Sequence, residues 1–77
     1  MKIDYAKAIK QLRCKMIYSQ VEFAELLGVA FSTVNRWESG HYTPTIKAKR
    51  KLAPLFEKYN IALEEKEDGK ENGWKNS

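Results

Sequence analysis

Residues 19–40 read SQVEFAELLGVAFSTVNRWESG, and the punctuation of this stretch decides the fold. Ser19-Gln20-Val21-Glu22 has the form of a capping box, in which Ser and Glu reciprocally satisfy free backbone N–H groups at a helix start. A short helix from Gln20 to Leu27 follows, with Phe23, Ala24 and Leu27 inward, and Gly28 supplies the left-handed residue that stops it. A second helix runs from about Phe31 to Glu38, and Gly40 ends it in the same way. Only Gly28-Val29-Ala30 joins the two. That linker is too short for antiparallel stacking with full overlap, and it suits a crossed helix-turn-helix.

On a wheel of ~100° per residue, Thr33, Val34 and Trp37 point one way along the second of these helices. Ser32, Asn35 and Arg36 point the other way, with Phe31 on the flank. The outward face thus carries a hydroxyl, an amide and a guanidinium, all able to contact base edges. Arg is the usual bidentate reader of guanine, Asn pairs well with adenine, and an apolar ring can lie on a thymine methyl. Taken alone, the wheel fits an ordinary solvated polar face better.

Outward from this core, Tyr5, Ile9, Leu12 and Met16 fall on one helical stripe, with Asp4 as its cap and Lys7, Lys10 and Lys15 facing water. Thr43-Pro44-Thr45 opens a further helix, in which Ile46, Leu52 and Phe56 are apolar. Pro54 inside it predicts a kink or a restart. No stretch alternates as a strand does. The fold class expected is all-α, with four to five short helices.

A chain of 77 residues allows one small domain, here 1–63, and excludes a two-domain enzyme. The formal net charge is +4, but residues 1–60 hold 11 Lys and Arg against 5 acids, and residues 61–77 hold 3 Lys against 5 acids. The basic part favours an anionic partner. The segment 64–77 cannot offset its ordering entropy by burial and reads as a charged, disordered tail. Its Trp74 is a partner anchor only on the less favoured view. Lys47-Ala48-Lys49-Arg50-Lys51 places four cations in five residues. Contact of Lys47 and Lys49 with DNA phosphates is the economical use, ahead of a merely solvated run, and the apolar face beside them is too thin for a membrane surface.

Cys14 is the only cysteine, so no intrachain disulfide is possible and nothing suggests an oxidising compartment. On the first helix it reads as a small, partly buried side chain. Cys14 and His41 cannot make a structural zinc site without two further acidic ligands, and no oxyanion-hole motif flanks Cys14. No enzyme activity, metal or cofactor is expected. With no apolar run near ~18 residues and no signal-like N-terminus, a soluble cytoplasmic domain is the reading.

From Ile9 to about Ile61 the chain resembles the DNA-binding domain of phage repressors and Cro proteins, including the xenobiotic-response-element type regulators. The matching string is Leu12-Arg13, Ser19 to Ala24, Leu27-Gly28-Val29, Ser32-Thr33-Val34, Arg36-Trp37-Glu38, Gly40, Pro44 and Leu52-Ala53. The resemblance implies that Gln20 hydrogen-bonds a phosphate and braces the reading helix. It puts Phe31, Ser32, Asn35 and Arg36 at or beside base-reading positions. Ser39, His41 and Tyr42 would approach phosphates of the opposite strand, and Arg13 and Glu38 would form a buried salt bridge. Two residues depart from the pattern. Ala30 stands where a Ser or Thr usually caps the reading helix, so that Ser32 compensates in part or the helix starts late. Phe31 replaces a polar residue and touches either a thymine methyl or a protein.

The implied function is a sequence-specific, double-stranded DNA-binding transcription regulator, a repressor acting as a homodimer on a pseudo-palindromic site. The alternative is a protein-binding module of the same fold, an antitoxin or antirepressor, whose Phe31 face or tail engages a protein partner. A membrane-surface or RNA-binding role ranks last, since no aromatic stacking platform for single strands is evident.

Overall fold

The computed structural model describes residues 3–65. Four helices follow in order: α1 Tyr5–Met16, α2 Gln20–Leu27, α3 Phe31–Ser39 and α4 Ile46–Lys58. Each start except that of α3 has a side-chain cap. Asp4 accepts from the Lys7 N–H, Thr45 from the Ala48 N–H, and at α2 both halves of the capping box form. There the Glu22 N–H donates to Ser19 Oγ at 3.1 Å, and the Ser19 N–H donates to Glu22 Oε1 at 2.9 Å.

Ala30 gives α3 no side-chain bond, and the helix nonetheless begins at Phe31. Neither a late start nor a Ser32 cap occurs. The Thr33 N–H closes on the Ala30 carbonyl at 3.0 Å instead.

Three helices end on the same closure, in which a left-handed residue turns the chain and the last carbonyls are capped by two backbone N–H groups. At α2 the residue is Gly28, with Val29 N–H donating to Ala24 at 3.0 Å and Gly28 N–H to Glu25 at 3.2 Å. At α4 it is Asn60 (φ 56°), with Ile61 N–H donating to Phe56 at 2.8 Å. At α1 it is Ile17 (φ 59°), a β-branched residue in a region that disfavours it, with its side chain 88% exposed.

The core joins Ile9 and Leu12 of α1, Phe23 and Leu27 of α2, Val34 and Trp37 of α3, and Leu52 and Phe56 of α4. α1 and α2 both pack on α3, and α4 meets α1. Ile46, in the first turn of α4, stays outside the core at 69% exposed.

The helix number lies within the expected four to five, and of the two outcomes expected at Pro54 the restart does not occur, since α4 continues through it. Burial of Leu52 before the proline and Phe56 after it holds both halves in one register against the lost hydrogen bond. Cys14 is exposed, not partly buried, because it lies two residues and about 200° around the helix from the buried Leu12. Glu64 and Glu65, assigned to the tail, pair with the other end of the chain. The Asp4 N–H donates to the Glu64 carbonyl at 2.8 Å, and Ile3 and Glu65 form an isolated antiparallel bridge. The rest of the expected tail, Trp74 included, lies outside the described residues.

Candidate nucleic-acid interface

α3 is held from beneath by Val34 and Trp37, both buried, and this turns Phe31, Ser32, Asn35 and Arg36 to solvent. Phe31, 49% exposed, stands at the first position of the helix. The helix cannot roll without lifting Trp37 out of the core.

A chain of side-chain hydrogen bonds crosses from α1 to this face. Arg13 Nε donates to Glu38 Oε2 at 2.7 Å and Nη2 to Glu38 Oε1 at 3.1 Å, while Nη1 donates to the Tyr18 carbonyl at 2.9 Å. The pair is largely buried, with side-chain exposures of 17% for Arg13 and 7% for Glu38. Hydrogen bonding to Glu38 raises the Arg13 pKa above its ordinary value against the opposing effect of burial, so its charge persists at any ordinary pH. Gln20, at the start of α2, donates from Nε2 to Glu38 Oε1 at 3.1 Å, and its Oε1 accepts from Asn35 Nδ2 at 3.4 Å. Three helices are thereby tied at one point beside the outward face of α3.

The loop after α3 contributes a second cluster. The Arg36 guanidinium lies 5.3 Å from the centre of the exposed Tyr42 ring, a cation–π arrangement. The Ser39 hydroxyl donates to the Arg36 carbonyl at 2.7 Å, so its proton is spent at the end of α3 and only its lone pairs face outward. His41 and Tyr42 are both exposed on that loop.

Lys47 and Lys49 are not brought together, because two residues on a helix are about 200° apart. Lys47 is exposed and borders a small hollow with Gly28, Val29 and Thr45 beside the α2–α3 turn. Lys49 is half-buried, its Nζ 5.0 Å from the centre of the Tyr5 ring.

Two cations that the sequence places only on a water-facing stripe or in a basic run lie beside the site. Lys10 borders a shallow hollow with Gln20, Asn35 and Ser39. Its signal was its place one helical turn before Arg13, which sets both on one side of α1. Lys51 Nζ donates to the Leu27 carbonyl at 2.8 Å, at the negative end of α2, a contact that no local pattern announces. Among the described residues no group of three or more His, Cys, Asp or Glu side chains could hold a metal ion, and no helix is long and apolar enough to cross a membrane.

A helix-turn-helix family model matches residues 9–62, more than two-thirds of the chain. No curated protein and no solved structure matched it. The match begins in α1 and ends after α4, so it spans the Arg13–Glu38 bond, the α2–α3 turn and the outward face of α3 together. The chain belongs to the helix-turn-helix family of phage repressors and Cro proteins, whose members are DNA-binding regulators.

Proposed function

We propose that this chain is a sequence-specific double-stranded DNA-binding transcription regulator, a repressor that inserts α3 in the major groove. The observation that carries the reading is the outward face of α3, with Ser32, Asn35 and Arg36 exposed over a backbone anchored by Trp37 and tied through Glu38 to Arg13 and Gln20. A groove-reading helix needs that combination of exposed hydrogen-bonding groups and a fixed axis. Arg36 reads guanine, Asn35 and Ser32 contact neighbouring bases, and Phe31 rests on a thymine methyl. Gln20, the His41–Tyr42 loop and Lys47 contact phosphates, which makes affinity fall with salt. Lys49 adds to the same field from beside Tyr5. One module of this size buries little surface on DNA, so a homodimer on a pseudo-palindrome is part of the reading.

Selection from a random duplex library at ~150 mM salt, followed by sequencing, tests it. The reading requires an enriched motif with two-fold symmetry. The half exposure of Phe31 at the tip of α3 favours one other reading, a protein-binding module of the same fold. A folded chain that enriches no sequence supports that second reading.

A further inference from the structure

We infer that Arg13, Glu38 and Gln20 form a polarity relay that fixes which way round the Asn35 amide faces the groove, so that Asn35 selects adenine and rejects guanine. The inference rests on the DNA-reading role of α3.

An amide side chain is a donor at one end and an acceptor at the other, and a flip exchanges them. Gln20 and Asn35 are both amides, so their orientations follow from whatever anchors the chain of bonds. The anchor here is unambiguous. Arg13 can only donate, and it donates to both carboxylate oxygens of Glu38. Glu38 therefore accepts, and Gln20 must turn its NH2 toward Glu38 Oε1, 3.1 Å away. The opposite flip would set two oxygens against each other at that distance. Gln20 Oε1 consequently faces Asn35 and accepts from its Nδ2 at 3.4 Å. The direction set by a nearly buried ion pair is carried outward, through one neutral side chain, to an exposed one.

For Asn35 this leaves one N–H and the Oδ1 oxygen. That is one donor and one acceptor, the complement of the N7 acceptor and N6 donor that adenine presents in the major groove. Guanine presents two acceptors there, O6 and N7. An unrestrained asparagine can offer both of its N–H groups to them. A relayed asparagine has already committed one, and its oxygen would then face a guanine acceptor. Gln20 keeps its own second N–H, which remains available to a phosphate. Gln20 and Glu38 are thus positioning residues for base choice, and Asn35 is the residue that touches the base.

The test uses the full-length chain and the duplex enriched from the library. Affinities are measured for that duplex, for the same duplex with each conserved-motif A·T pair replaced by G·C, and for one with 7-deazaadenine, which lacks only the N7 acceptor. At one adenine per half-site, the wild-type chain prefers A·T over G·C by roughly 5- to 150-fold, and Asn35→Ala abolishes that preference. Gln20→Met keeps the ion pair and the side-chain length but breaks the relay. It lowers affinity for every duplex, yet the preference at this one adenine falls several-fold while that at the guanine read by Arg36 is retained. Glu38→Gln, where it folds, gives the same selective loss. A merely structural role for Gln20 would lower all affinities and leave the ratio unchanged. A Gln20→Met chain that keeps the full ratio, or an Asn35→Ala chain that keeps it, overturns the inference alone. A folded wild-type chain that selects no sequence overturns the DNA reading itself, and the inference with it.

Discussion

Arg13 of α1 and Glu38 of α3 meet side by side, with two parallel bonds of 2.7 and 3.1 Å, over 25 positions of sequence. The third bond of the guanidinium, to the Tyr18 carbonyl, fixes the α1–α2 turn at the same point. One arginine thus sets the relative placement of three elements, and the reading face of α3 inherits its position from it.

Removing one partner strands the other. Glu38→Ala leaves the mostly buried Arg13 charge without its acceptor and is expected to lower stability by roughly 3 kcal/mol, read as a fall in the urea midpoint at constant slope. Replacing both, as Arg13→Met with Glu38→Leu, should recover most of that loss, since an apolar pair avoids the desolvation of two charges. A double variant as unstable as the single one would show that the bonds themselves carry the stability.

Ile17 holds a left-handed conformation with an exposed side chain that packs on nothing in the core. Ile17→Gly removes the steric penalty of a β-branched residue there and gives back part of it as unfolded-state entropy. A net gain of about 0.5–1 kcal/mol is expected, or a few degrees in the thermal midpoint. A lower midpoint would mean that Ile17 has a partner in the folded chain.

Ala30 occupies the cap position of α3 with extended backbone (φ −72°, ψ 150°) and makes no side-chain bond. Ala30→Ser supplies the missing acceptor for the first turn and should stabilise the chain by roughly 0.5–2 kcal/mol. Calorimetry of the two chains decides it, and an unchanged midpoint would show that solvent already satisfies those N–H groups.

The helix boundaries were legible in the sequence because each is written in a local code. Ser19 with Glu22, Gly28, Gly40 and Thr45 act within four residues of the helix end they define, and the period of Tyr5, Ile9 and Leu12 sets the inward face of α1. What was not legible depends on distant partners. Pro54 predicts a kink or a restart from its own chemistry, and only the burial of Leu52 and Phe56 shows why the helix continues through it. Nothing near Glu64 announces that its carbonyl accepts from Asp4, sixty positions away. Within the site, wheel geometry separates Asn35 and Arg36 from Trp37. It cannot show that Asn35 is tied to Gln20, or that Lys47 and Lys49 serve different neighbours.

Arg36 and Lys47 separate the two kinds of DNA contact. Arg36→Ala should lose ~1–3 kcal/mol at the selected site and relax choice at one base pair, with little change on random DNA. Lys47→Ala should weaken all DNA about equally and reduce the slope of log affinity against log salt by ~1. Equal effects of Arg36→Ala on selected and random DNA would remove it from the base-reading set.

The central claim is that the outward face of α3 is what meets DNA. An NMR titration of the labelled full-length chain with its selected duplex tests this most directly, since every backbone amide reports at once. The account predicts the largest shifts at Gln20, at residues 31–36 and in the loop 39–42, with Glu25, Glu57 and Leu63 unmoved. Shifts centred on the far side of α4 or on the outer face of α2, with residues 31–36 unchanged, would contradict it.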